Sequence, residues 1–181
     1  RRMDTGNRTA LFIAAAMMFV AARAQQPAAS DAKLAEAAVR GWFPDMARQT
    51  PLASRADVRA VLNLKGEALG WIFRTDQIEP VVRGKRGEIG VWVALGTDGK
   101  IRGVEMGPHR EDKKWFDRIR APFYKAFENR PADGSGGRPD AVTSATVSSR
   151  AMTDDVFGAC RTVLGLPEVR ERLGAAGNDR K

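Results

Sequence analysis

Ten consecutive residues, Asp140-Ala-Val-Thr-Ser-Ala-Thr-Val-Ser-Ser149, contain five hydroxyl side chains. They follow a stretch that can only be a loop, residues 131–139 (PADGSGGRP), and they run into an apolar-periodic segment from Ser148 to Leu164. A loop entering a helix leaves unpaired backbone N–H groups at the positive end of the helix dipole, an arrangement that favours an anion and above all a phosphate. The Thr146 hydroxyl, just upstream, would lie beside any phosphate held there, and Ser148 or Ser149 would cap the helix. The same residue types also make a plain helix cap with no ligand at all, and residue type alone leaves both readings open. Elsewhere the reactive inventory is thin. His109 is the lone histidine and Cys160 the lone cysteine, so an internal disulfide is excluded and no Cys/His spacing closes a zinc site.

The elements that would position this segment follow from hydrophobic spacing. Leu34, Ala38 and Trp42 recur at helical intervals and predict a helix over Asp31–Trp42. Ser54 reads as the N-cap of a second helix reaching about Leu64, with Val58, Val61 and Leu62 on one face. From Lys65 the period changes. Ala68–Arg74 reads as a strand, Glu88–Leu95 as a second, and Lys100–Met106 as a third, with Gly96-Thr-Asp-Gly99 as a turn between the last two. Asp112–Phe127 predicts a helix that Pro122 kinks or breaks. Met152, Val156, Ala159, Cys160 and Val163 share one face of the Ser148–Leu164 helix, where Cys160 would be buried and inert. A meander of strands followed by helices indicates an α+β fold, an antiparallel sheet flanked by helices.

The chain has 181 residues and a formal charge of +8, but much of that excess sits at the start. Arg1, Arg2 and Arg8 precede the apolar run Ala10–Ala22, and Ala22-Arg-Ala24 supplies small residues for cleavage, so residues 1–24 read as a secretory signal peptide. The run is too short for an ordinary membrane span. Cleavage after Ala24 removes four arginines and one aspartate, leaving 26 basic against 21 acidic residues, a net +5. The densest basic cluster, Arg83-Gly-Lys-Arg86, reads as a solvated turn, and no zinc-finger or aromatic RNA-binding pattern accompanies it. The expectation is an exported protein that binds no nucleic acid, with an N-terminal helical segment at 25–64, a main domain at 65–165 and a tail at 166–181.

The hydroxyl-rich segment, Asp140-x-x-Thr143-Ser144-Ala145-Thr146-x-Ser148, resembles the flavinylation motif of exported FMN-binding domains. Such domains occur in the C subunit of the sodium-translocating NADH:quinone reductase, the G subunit of the Rnf complex and the nitrous-oxide reduction regulator. Their pattern is roughly Asp-x-x-Ser/Thr-Gly-Ala-Thr-x-Ser/Thr, with Ser144 standing here where Gly is usual. Upstream, Arg86-Gly-Glu-Ile-Gly90 through Gly96-x-Asp98-Gly99 to Val104 is similar to the family's paired strands and turn. His109-Arg-Glu111 matches in kind the His and Glu of a His/Glu-Thr-Pro-Gly stretch in larger relatives, without the Pro-Gly.

The resemblance implies FMN joined to Thr146 by a phosphoester, placed there by a flavin transferase that uses FAD. Asp140, Thr143, Ser144, Ala145, Ser148 and Ser149 would shape the attachment loop, and His109 would reach the flavin. Trp92, Met106 and Trp115 are candidates to line the ring, with ordinary core packing as the competing role. The function implied is a periplasmic electron carrier between a membrane quinone-linked or cytochrome partner and another exported partner, rather than a turnover enzyme, and no substrate pocket is visible in the sequence. An FMN-dependent reductase of a small molecule and an envelope binding module without flavin are the alternatives.

Overall fold

The computed structural model describes residues 29–84, 86–110, 122–142 and 146–178. The predicted signal peptide, Lys85, Trp115 and the rest of 111–121, and Thr143, Ser144 and Ala145 lie outside these ranges. Helix α1 (Ala29–Trp42) is followed by five strands, β1 (Arg48–Pro51), β2 (Arg59–Leu62), β3 (Ala68–Arg74), β4 (Ile89–Gly96) and β5 (Ile101–His109). Helices α2 (Thr146–Leu164) and α3 (Pro167–Asn178) end the chain. The strands form one antiparallel sheet in sequence order, so the architecture is α+β.

Strand alternation divides the core between the two sheet faces. Trp71 and Phe73 of β3 and Ile89, Val91, Val93 and Leu95 of β4 meet Met152, Val156, Phe157, Ala159, Cys160 and Val163 of α2. Ile72 and Ala94 point the other way, onto Val39 of α1 and Phe43 just after it. Every residue of β4 is buried, as a central strand covered on both faces must be. Burying a side chain such as Val39 or Phe43 contributes about 1.5–3 kcal/mol. Helix α1 comes close because β5 offers a glycine: a Cβ on Gly103 would lie 2.0 Å from Trp42 Nε1.

Strands β3, β4 and β5 and the turn at 96–99 form where the alternation and the Asp-Gly pair predict them. The helix expected over 54–64 does not form. Its second half is β2, paired to β1 on one side and β3 on the other. Ala60 and Leu62 face the α2 side while Val61 faces α1, so three consecutive positions are buried, and a strand covered on both faces carries no period-2 signature. Ser54 caps no helix; its N–H and hydroxyl donate to the Glu168 carboxylate at 2.9 and 2.6 Å, tying α3 to the start of the sheet. The sheet therefore continues across residue 64, the expected limit of the N-terminal helical segment.

Of the helix expected at 112–127, the residues through 121 are outside the described ranges, and residues 122–125 are helical. Phe123 and Phe127 stack edge to face at 5.2 Å in the core. No helix among the described residues is long and apolar enough to cross a membrane.

Candidate functional site

Helix α2 begins at Thr146, two residues earlier than its apolar face predicts, which moves Ser148 and Ser149 inside the first turn and removes them as N-caps. Ser149 instead ties the preceding loop to the helix. Buried at 2 % exposure, its Oγ accepts from Val142 N–H at 3.1 Å and donates to Thr146 O at 3.3 Å. Thr153 reinforces the same turn by donating to Ser149 O at 2.8 Å. The glycine-rich loop ahead is pinned by Arg130, whose guanidinium donates to Gly136 O and Gly137 O at 3.0 and 3.1 Å, and Arg138 pairs with Asp154 of α2.

Thr146 is the first residue of this 19-residue helix, and its half-buried hydroxyl donates to Val142 O at 3.4 Å, the long limit of a hydrogen bond. Around it lie the first N–H groups of α2, which have no partner within a helix. Val147, next in the chain, is 65 % exposed, an unusual position for an apolar side chain. Ser148 is half-buried in the same turn and Asp140 is exposed in the loop. The structure thus brings Thr146, Ser149 and Val142 into one hydrogen-bonded unit.

His109 stands elsewhere. It ends β5 opposite Ile89, where a bulge shifts the register between Ile89 and Val91. Bulges at strand ends re-aim side chains, and here the end of pairing opens a cleft of about 500 Å³. Asp76, Arg83, Arg86, Gly87, Glu88, Pro108, His109 and Arg110 line it; Thr146 does not. The sequence showed no pocket, and the structure has one.

Below the cleft, Arg74 Nε donates to Asp76 Oδ1 at 2.6 Å, and the guanidinium stands 5.5 Å from the ring centre of Trp92. The pair crosses two glycines. A Cβ on Gly90 would come 3.1 Å from the Asp76 carboxyl, and one on Gly107 would come 3.1 Å from Arg74 Cδ. Trp92 is therefore buried beneath an arginine, and Met106 is buried in the core on the α2 side.

Two titratable groups of α2 face inward. Burial pushes the Asp155 carboxyl above the usual aspartate range, with the Thr75 hydroxyl and the Val82 N–H opposing and Asp76 adding repulsion. Burial pushes the Cys160 thiol up to about 12, which leaves it protonated and inert as its apolar position predicts.

The cleft arginines escaped the sequence reading. Arg83 and Arg86 form the solvent-exposed turn expected of them, but their convergence with Arg110 needs the Ile89–His109 pairing, which residue spacing alone does not contain.

The family model described as FMN-binding domain matches residues 84–159. Among solved structures, the chain is similar to the crystal structure of Shewanella oneidensis NqrC at 17% identity, covering 74% of this chain and 73% of that one, with a TM-score of 0.48. Among curated proteins none matches. The segment matched by the FMN-binding domain model opens just before β4, spans the β4–β5 hairpin and ends within α2, past Thr146.

Proposed function

We propose that this protein is an exported electron carrier in which FMN is joined through its phosphate to the Thr146 hydroxyl. The observation that carries the reading is the position of Thr146 as the first residue of α2, within the segment matched by the FMN-binding domain. A phosphodiester there keeps one negative charge, which the helix dipole and the free N–H groups of the first turn stabilise by about 0.3–1 kcal/mol.

The residues present fit the group. Thr146 has a half-buried hydroxyl that makes a long hydrogen bond, Ser149 fixes the turn beneath it, and the exposed Val147 offers an apolar surface beside it. When bound, FMN supplies one- and two-electron transfer through its isoalloxazine ring. The chain's own part is to hold the phosphate at the helix start and to keep the loop at 131–142 tied to α2. Outside the cytoplasm a covalent link prevents loss of the flavin by dilution. A flavin transferase is the partner this attachment requires, and a membrane quinone-linked donor or a cytochrome fits the carrier role. The cleft beside His109 favours a second reading, an FMN-dependent reductase of a small molecule.

Co-expression of the chain with a flavin transferase tests the attachment. Flavin fluorescence should survive a denaturing gel in the parent and vanish in Thr146→Ala, and the intact mass should fall by one FMN moiety. Fluorescence persisting in Thr146→Ala would move the attachment elsewhere, and a parent of unmodified mass would end the covalent reading.

A further inference from the structure

We infer that Arg150 is a cofactor-binding residue, its guanidinium holding the phosphate oxygens that an FMN ester on Thr146 leaves free. This role rests on the attachment at Thr146 proposed above and gives the phosphate charge a side-chain partner.

Helical register sets the placement. Arg150 stands four residues after Thr146 in α2, one turn along the same face. Helical side chains lean back toward the N-terminus, so the stem of an arginine at 150 covers the turn that Thr146 begins. Val147, three residues before Arg150 and 65 % exposed, gives that stem an apolar surface to lie on. Arg150 itself is exposed, so its charged end is open to a ligand on this face.

An exposed arginine on a helix is ordinarily a solvated surface group, and charge placement sets this one apart. Helix α2 has no acidic residue in its first turn, and from Thr146 to Thr153 its one charged side chain is Arg150. A cation leaning over that turn is repelled by the positive end of the helix dipole, where an acidic residue would be stabilised. The first carboxylate along the helix, Asp154, stands four residues after Arg150, at the spacing of a helical ion pair. Arg138 of the preceding loop occupies that carboxylate instead, at 2.5 Å. The helix start is thus positive twice over, through its dipole and through Arg150. A phosphodiester on Thr146 supplies the negative charge that makes both favourable. The planar guanidinium fork suits phosphate oxygens, where an ammonium would act only as a point charge.

The full chain is produced with and without a flavin transferase as parent, Arg150→Gln and Arg150→Lys. Loading is read from the intact mass, and thermal melting is followed in both forms. Without FMN, Arg150→Gln should melt at or above the parent, because no cation then opposes the dipole. With FMN the order should reverse. Attachment should raise the melting temperature of the parent, and that rise should be smaller by about 2–4 °C in Arg150→Gln, the loss of one charge-assisted contact in a chain of this size. Arg150→Lys should fall between, and added salt should narrow the differences. Arg170→Gln removes the same charge from an exposed position on α3 and should keep the full rise. A rise in Arg150→Gln equal to that of the parent, or a loss of the same size with and without FMN, would overturn the role of Arg150 and leave the Thr146 attachment standing. If Arg150→Gln takes up no FMN, Arg150→Lys carries the comparison, and a rise equal to the parent's there would overturn the contact. A parent without FMN at residue 146 would overturn the proposed function, and the role of Arg150 with it.

Discussion

Arg74 and Asp76 point to the same side of the sheet, joined by a 2.6 Å bond, with the Arg74 guanidinium laid over Trp92. Both side chains are largely withdrawn from water, at 11% and 17% exposure. A pair so placed is stabilised mainly by mutual compensation: neither charge could stay there alone. The pair also separates two environments, since Trp92 lies beneath it and the open cleft lies on the Asp76 side.

Removing one member should therefore cost far more than an exposed ion pair would suggest. Arg74→Met keeps much of the stem and deletes the charge, leaving Asp76 uncompensated; a loss of about 3 kcal/mol is expected from urea unfolding. The double variant Arg74→Met with Asp76→Asn should recover most of that loss. A single variant within about 0.5 kcal/mol of the parent, the size of a surface change, would mean that the pair is solvated and contributes little.

The contact between α1 and the sheet makes a second prediction. Adding one methyl at Gly103 places a Cβ within 2.0 Å of Trp42 Nε1, and β5 backbone cannot retreat because it is paired along its length to β4. Trp42 must leave, and with it the last turn of α1. Gly103→Ala should cost about 1–3 kcal/mol, as overpacking does, and should expose α1 to limited proteolysis before the rest of the chain. Gly41→Ala, in the same region but with nothing within 4 Å of its Cβ, is the control and should leave stability unchanged or raised.

How legible these features were depends on how local their causes are. Strand β3 and the β4–β5 hairpin follow from β-rich runs and a turn containing Asp98-Gly99, all within the segments concerned. Strand β2 was misread as helix because Ala60, Val61 and Leu62 are buried on both sides, a property of their neighbours rather than of their order. Strand β1 left no trace in the sequence, being a short edge strand with mostly exposed residues. At the candidate site, the place of Thr146 at a helix start is a local pattern, a hydroxyl leading into an amphipathic segment. The cleft was not, since Arg83, Arg86 and Arg110 meet only through strand pairing and a bulge. Arg74 within Ala68–Arg74 gave no sign that it would be buried against a tryptophan.

Asp155 yields the prediction that depends on pH. Val82 N–H donates to its Oδ1 at 3.0 Å, joining α2 to the segment that leads into the cleft hairpin. The groups facing it are the Thr75 hydroxyl, that N–H and the Asp76 carboxylate, and burial outweighs them, so its folded pKa lies above its unfolded one. The folded state then binds the proton more tightly. The stabilisation from this group is fully present below the unfolded aspartate pKa, about 3.9, and is lost as pH rises through the raised folded value. Asp155→Asn keeps an oxygen to accept from Val82 and never ionises. Its stability relative to the parent should therefore climb as pH rises from about 4 into the neutral range, and then level off. Urea unfolding of both proteins at a series of pH values measures that difference directly. A difference that stays flat, or that moves in favour of aspartate as pH rises, would show that the carboxyl is better solvated than its 1 % exposure implies.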